Sequence, residues 1–334
     1  KPAEENPGEY HAVAQNGVVE EFVYDDLPAH SDGSFSEAFG RELERLGKAD
    51  SRICAITAAM KYAVGLNYFK NSFAPRFFDT GIAEQHSVTF AAGLAVQGML
   101  PVFAVYSTFL QRGFDQIIHD CSIEKTHITL CIDRAGFVGA DGETHQGIFD
   151  VPMLRAVPNT VIYCPATYEE LRRCLSEAIY RTEGIAAVRY PKGGEPDIMG
   201  RTEHFKSAFE PVRDYYYSGK SSDVLGITYG RISADLAKAC EKTGADMLRL
   251  VTVNPFPEGI FGIALGYKKI VFFEEGSVRG GAAEGFLAEL AWRGYRGRAE
   301  CVGVADGFVP AAAVEEQLAM YGLNEECMTE ILRA

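Results

Sequence analysis

Long apolar runs are missing from this 334-residue chain. None approaches the roughly 20 residues that a membrane-spanning helix needs, and the N-terminal stretch is acidic and polar where a secretory leader is basic and then apolar. The chain is therefore expected in the cytoplasm and away from membranes. Positive charge is also in deficit: 32 Lys and Arg stand against 46 Asp and Glu, a formal charge of -14. Such a surface repels nucleic acid and anionic lipid, so any phosphate has to be met by a local basic pocket. No C-x-x-C spacing occurs among the eight cysteines. They are scattered through apolar segments and read as reduced core residues, not as a disulfide framework or a metal cluster.

What is present is an alternation of short apolar runs with helical patterns. Residues 1–30 are rich in Glu, Asp, Gly and Pro without a sustained period and read as a linker or arm. Order begins where Ser34-Phe35-Ser36-Glu37 fits a capping box opening a helix through Leu46. Runs at Ile53–Ile56, Val102–Tyr106, Ile128–Ile132, Val161–Cys164 and Ala186–Tyr190 read as buried strands, with helical patterns near Ala83–Gln97, Phe109–Cys121 and Tyr168–Arg181 between them. This is the signature of an α/β fold with a parallel sheet covered on both faces. The polar stretch 193–222, with Gly193-Gly194 and Pro196, separates residues 31–192 from a smaller α/β unit at 223–334. That unit has strand-like runs at Val224–Thr228, Met247–Val253, Ile270–Glu274 and Cys301–Val304.

Three segments carry polar side chains to the ends of strands. In the first, Phe78 to Gly93, a glycine turn opens a helix with small apolar residues Val88, Ala91, Ala92 and Ala95 at helical spacing. Glu84 falls in its first turn, where a carboxylate could simply complement the helix dipole. In the second, Tyr106 to Cys121, the stripe Leu110, Phe114, Ile117 and Cys121 is set apart from a face bearing Phe109, Arg112 and Gln116. An aromatic ring and a cation one turn apart at a strand's C-terminal end belong to the crevice where open α/β sheets bind ligands. Packing and solvation would also explain them. The third, Asp133 to Gly147, is a long glycine-rich loop that brings Arg134, Asp141 and His145 to the same edge.

The strings G-I-A-E-Q-H-S-V-T-F-A-A-G, Y-S-T-F-L-Q-R-x-x-D-Q-x-x-H-D and I-D-R-A-G-x-V-G-A-D-G-x-T-H-Q-G, in that order, resemble the 1-deoxy-D-xylulose-5-phosphate synthase family. Arg189-Tyr190-Pro191-Lys192-Gly193 is similar to its R-Y-P-R-G segment, with Lys192 where arginine is common. Glu274-Glu275-Gly276 and Gly280-Gly281 are similar to a turn of its C-terminal domain. The resemblance implies a transketolase-like pyrimidine-binding domain followed by a smaller transketolase C-terminal domain. It also implies thiamine diphosphate and Mg2+ as cofactors, pyruvate and D-glyceraldehyde 3-phosphate as substrates, and a homodimer.

On the same resemblance Glu84 contacts N1′ of the cofactor's aminopyrimidine as the activating acid, and Phe109 stacks on that ring. Tyr106, Arg112, Arg134 and Arg189 line the acceptor site and bind triose phosphate, a task suited to arginine's fork of donors. Asp141 and His145 lie near the reacting carbons. His11, in a segment similar to the family's interdomain linker, matches a histidine expected to assist proton transfer.

The family's G-D-G motif with a following asparagine, which holds Mg2+ and diphosphate, has no counterpart in this sequence. Asp141-Gly142 and Asp306-Gly307 lack the leading glycine. The chain is therefore expected not to hold the cofactor tightly alone, its missing N-terminal diphosphate-binding domain being on a longer polypeptide or a separate subunit. The rival readings are the β subunit of a 2-oxo-acid dehydrogenase, whose acceptor does not call for phosphate-binding arginines, and a catalytically incompetent transketolase-like module.

Overall fold

A computed structural model describes residues 33–197, 212–219 and 222–334. All belong to the unit Gly33–Ala334, and His11 lies outside the described residues. The first sheet contains β1 (Ile53–Thr57), β2 (Phe77–Asp79), β3 (Leu100–Tyr106), β4 (Ile128–Asp133), β5 (Thr160–Tyr163) and β6 (Ile185–Arg189). The second contains β7 (Tyr215–Ser218), β8 (Val224–Tyr229), β9 (Asp246–Leu250), β11 (Lys269–Ser277) and β12 (Arg298–Val304). The remaining strand, β10 (Thr252–Asn254), crosses back to the first sheet.

The strand orders are β10-β5-β6-β4-β3-β1-β2 and β12-β11-β8-β9-β7. Pairing is parallel except at β10 against β5 and β7 against β9, so each sheet carries one antiparallel edge strand. Strands β1, β4 and β6 are buried along their whole length. Burial on both faces is why their sequences are apolar without alternation.

The run Met247–Val253 reads as one strand but serves two sheets. Val251 and Thr252 both donate to the carbonyl of Asp214, at 2.8 and 3.0 Å, and the Val251 carbonyl accepts from Cys164 N at 2.7 Å. Neither glycine nor proline marks the switch, because the break is set by these distant partners. The two sheets are further joined by a buried pair in which Arg249 of β9 donates to both oxygens of Glu170, at 2.6 and 2.8 Å.

Ser34 caps the helix Phe35–Ala49 by accepting from Glu37 N, while Glu37 reaches Gly33 N rather than the N-cap amide. The helix buries Phe35, Phe39, Leu43 and Leu46, each contributing about 1.5–3 kcal/mol by leaving water. The segment expected as one helix over Phe109–Cys121 changes pitch instead. It runs as α-helix at Ser107–Leu110 and Phe114–Gln116, with a 3₁₀ turn at Gln111–Gly113 between them, and widens to π geometry at Ile117–Ser122. Gly113 lets it approach the helix Glu84–Val96: a β-carbon there would stand 2.9 Å from Val88 Cγ2. All eight cysteines are free thiols, six of them buried. Among the described residues no helix is long and apolar enough to cross a membrane.

Candidate active site

Register brings the chemistry-bearing residues to one edge. Tyr106 pairs with Asp133 across β3 and β4, and Ile132 with Arg189 across β4 and β6, so all these strands end together. The helix Glu84–Val96 starts beyond β2, at the same C-terminal edge. This is where open α/β sheets present a crevice.

Glu84 is the first residue of its helix and is 2% exposed. Its Oε2 is shut off from solvent and accepts no hydrogen bond, and Arg112 Nη1 lies 3.5 Å away without hydrogen-bond geometry. A buried carboxylate oxygen without a donor costs about 1–3 kcal/mol or more. The orphan atom therefore fits a ligand that brings its own donor.

Phe109 is half-buried and forms the middle of an aromatic series. Its ring stacks on Tyr106 with centroids 5.7 Å apart, and it meets the His145 ring edge-on at 5.5 Å. The Arg134 guanidinium joins the series, 3.9 Å from the Tyr106 ring. Burial pushes the Tyr106 hydroxyl up to about 12, with Arg134 partly offsetting it, so the phenol stays neutral.

The loop that follows β4 is closed by its own backbone. Gly136 and Gly147 exchange hydrogen bonds at 2.7 and 2.8 Å, and a β-carbon on Gly147 would stand 2.2 Å from the Arg134 carbonyl. Thr108 ties the loop to the Phe109 segment by donating to the Thr144 carbonyl at 2.8 Å. His145 Nδ1 lies 3.0 Å from Thr144 Oγ1. Asp141 is exposed and holds Lys192 Nζ through both oxygens, at 2.8 and 2.7 Å.

Tyr106, Phe109, Arg134 and His145 are thus one contact series, and Glu84 with Arg112 is another. They are linked through the turn that carries both Phe109 and Arg112. Arg189 is not in this group. It is 6% exposed, and its Nε and Nη2 donate to Asp150 Oδ2 at 2.8 Å and Oδ1 at 3.3 Å. Burial works against its charge, but the Asp150 carboxylate outweighs it and drives the pKa above the usual arginine value. A desolvated guanidinium takes the nearest carboxylate, and here the guanidinium also lies 5.4 Å from the Tyr229 ring of β8.

The sequence pattern does not single out Asp133, although it underlies the site. Its carboxyl is fully buried, accepts from Ser36 Oγ at 2.6 Å and from Arg134 Nη1 at 3.1 Å, and is pushed up to about 6 by burial. Arg134 itself has a left-handed backbone, φ 58°, which a non-glycine residue keeps only when its surroundings hold it. Its Nη1 also donates to the Ala63 carbonyl at 3.1 Å. Three residues on the second sheet or on elements packed around it, Arg231, Glu275 and Gln317, reach the loop backbone as well. Of these, the sequence motifs include only Glu275.

A groove of about 770 Å³ opens at the opposite edge, near the starts of β4, β5 and β6, lined in part by Lys125, Arg155, Asn159 and Pro255. Arg155, Asn159 and Asn254 there donate to protein carbonyls, so their hydrogen bonding does not call for a ligand.

Comparison with known proteins bears on the same two regions. Residues 32–195 match the transketolase pyrimidine-binding domain and residues 217–328 the transketolase C-terminal domain. The 1-deoxy-D-xylulose-5-phosphate synthase of Thiobacillus denitrificans is 39% identical over the full chain, which covers 54% of that protein. Those of Aquifex aeolicus and Escherichia coli are 38% and 36% identical, again over the full chain and 53% of their own lengths. The chain thus spans about half the length of the curated relatives it matches. A solved split-gene transketolase, described as an inactive β4 tetramer, superposes with a TM-score of 0.76 at 24% identity, covering 90% of this chain and 97% of that one.

Proposed function

Given that the chain belongs to the transketolase family through its pyrimidine-binding and C-terminal domains, we propose that it forms the pyrimidine-binding half of a thiamine-diphosphate-dependent synthase. The reaction is decarboxylation of pyruvate and joining of the two-carbon unit to D-glyceraldehyde 3-phosphate, giving 1-deoxy-D-xylulose 5-phosphate. The observation that carries this reading is the buried Glu84 oxygen without a donor, at the edge where an aromatic ring and two arginines are also found.

When bound, thiamine diphosphate supplies the nucleophilic carbon that takes up the two-carbon unit. Glu84 holds a proton at N1′ of the aminopyrimidine, from a position with no competing hydrogen-bond donor. Phe109 offers a flat apolar face that does not compete for the ring nitrogens. Arg112, whose side chain is 53% exposed, and Arg134 meet the phosphate of the acceptor. Tyr106, neutral at physiological pH, donates or accepts beside them. His145 moves a proton near the reacting carbons, and Asp141 orients the loop through Lys192. His11 remains a proposed contributor from the N-terminal arm. Arg189, held by Asp150, is the further arginine proposed for the acceptor phosphate.

Diphosphate and Mg2+ are held by a region supplied in addition to this chain, which by itself turns over no substrate. One observation supports this: the relatives are about twice as long. The active form is a homodimer of the completed protein, working in the cytoplasm.

The test combines the chain with the diphosphate-binding region of a relative, thiamine diphosphate and Mg2+. Carbon dioxide release from pyruvate that accelerates with D-glyceraldehyde 3-phosphate is the expected result. Release that responds to lipoamide instead would assign the chain to a 2-oxo-acid dehydrogenase, and absence of release from a correctly assembled complex would leave only an incompetent module.

A further inference from the structure

The loop that carries Asp141 and His145 leaves the first sheet, yet three of its anchoring side chains come from the second sheet and the elements packed around it. Three consecutive backbone N–H groups donate to side-chain oxygens. Phe137 N donates to Glu275 Oε1 at 2.7 Å, Val138 N to Gln146 Oε1 at 2.9 Å, and Gly139 N to Gln317 Oε1 at 3.0 Å. The carbonyls are matched as well. Arg231 Nη2 donates to Phe137 O at 2.6 Å and Gln317 Nε2 to Gly139 O at 3.3 Å. Arg231 also pairs with both oxygens of Glu275 and donates to the Lys192 carbonyl at 3.4 Å. Glu275 lies on β11, Arg231 in the turn after β8, and Gln317 in the helix Val314–Met320.

Packing agrees with the hydrogen bonds. Phe137 and Ile148, on either side of Asp141 and His145, are buried in the hydrophobic cluster of the second sheet with Ile232, Val271 and Phe273. Gly136 has φ +81°, and a β-carbon there would stand 2.5 Å from Glu275 Oε1, so the carboxylate's approach depends on that glycine. These features go beyond what an ordinary surface loop needs. A loop that had only to connect β4 to the next helix could leave its amides to water.

We propose that Glu275, supported by Arg231 and Gln317, is a positioning residue, and that the second sheet sets the geometry with which Asp141 and His145 are presented. The inference rests on the functional reading above for those two residues. Glu275 touches no reacting atom. It fixes the Phe137 peptide, and through it the start of the loop, while the Lys192 carbonyl bound by Arg231 ties the Asp141–Lys192 pair to the same support.

The test has two readouts on three variants. Glu275→Leu removes the acceptor for Phe137 N, Glu275→Gln keeps an acceptor oxygen, and Gln317→Leu removes the Gly139 anchor while leaving Glu275 in place. Hydrogen exchange of the chain is expected to accelerate about tenfold or more at Phe137 and Gly139 in Glu275→Leu, with β8 and β9 unchanged and Glu275→Gln close to wild type. In the chain completed with its diphosphate-binding region, Glu275→Leu is expected to lose about 10- to 100-fold in kcat, as misplaced catalytic groups do. The concentration of thiamine diphosphate giving half activity should change less than about threefold, because Glu84 and Phe109 lie outside the loop.

Unchanged loop exchange in folded Glu275→Leu, or faster exchange with kcat intact, overturns the proposal. If Glu275→Leu does not fold, Gln317→Leu decides by the same two measurements. Inactivity of the completed wild type would instead remove the functional reading, while the exchange data would still report whether the second sheet anchors the loop.

Discussion

Arg112 Nη1 stands 3.5 Å from Glu84 Oε2, an oxygen that is buried and accepts no hydrogen bond. The neighbouring guanidinium leaves this oxygen unsatisfied in hydrogen bonding. A ring nitrogen that shares a proton with the carboxyl would complete that oxygen. Substituting Glu84 by Ala in the completed enzyme is therefore expected to lower turnover by about 10²–10⁴-fold, the range for losing a positioned acid. Proton exchange at the reactive carbon of thiamine diphosphate, followed by NMR, is the direct measurement. Exchange at the wild-type rate would remove Glu84 from its proposed role.

Arg112 itself is half exposed and free to meet a second anion. Its replacement by Ala is expected to raise the KM for D-glyceraldehyde 3-phosphate about tenfold or more, the worth of one charge-assisted contact, and to move the KM for pyruvate much less. Equal shifts in both constants would mean that the guanidinium acts only through Glu84 and binds no acceptor phosphate.

The sequence carries the α/β architecture well because the strands buried on both faces need uninterrupted apolar runs, and Ile128–Ile132 or Ala186–Val188 can hardly be read otherwise. It carries the Met247–Val253 switch badly, since one apolar run fits either sheet and only Asp214 and Cys164, distant in sequence, divide it. Strand β7 lies within a stretch read as linker, and its tyrosines gain their meaning by pairing with β9. At the site, Glu84, Phe109, Arg134 and His145 stand in local motifs. Arg189 also stands in one, but its partner Asp150 is a matter of tertiary packing. Gln317 has no local signature, because the backbone it binds is 178 residues away.

Asp133 makes a pH prediction. Burial raises its folded-state value from 3.8 to about 6, so the native state binds the proton more tightly than the unfolded chain. The contribution to stability is then fully present below about pH 4 and is lost as pH rises through about 6, amounting to about 2–3 kcal/mol across that window. Other carboxylates titrate over the same range, so the difference between wild type and Asp133→Asn isolates this group. Urea unfolding at pH 4.5 and pH 7 should show Asp133→Asn gaining on the wild type at the higher pH. Parallel curves for the two proteins would exclude a raised Asp133 in the fold.

Arg189 is an acceptor-site residue by resemblance, and its buried contacts give it a structural role to be separated from that one. As an acceptor-site residue its loss would raise the KM for the phosphorylated substrate and leave the fold alone. As found, its guanidinium is buried, donates twice to Asp150 and lies against the Tyr229 ring, whose hydroxyl donates to Glu274 at 2.6 Å. Removing one member of such a pair leaves an uncompensated buried charge and costs about 3–5 kcal/mol. Arg189→Met should therefore unfold at markedly lower denaturant concentration, while Arg189→Met with Asp150→Leu should recover much of the loss, since a buried pair is often replaced by apolar groups at little cost. Kinetics of the double variant then decide the matter. A KM for D-glyceraldehyde 3-phosphate within about threefold of wild type assigns Arg189 to the junction between the sheets, whereas a large rise confined to that KM, in a protein of restored stability, would return it to the acceptor site.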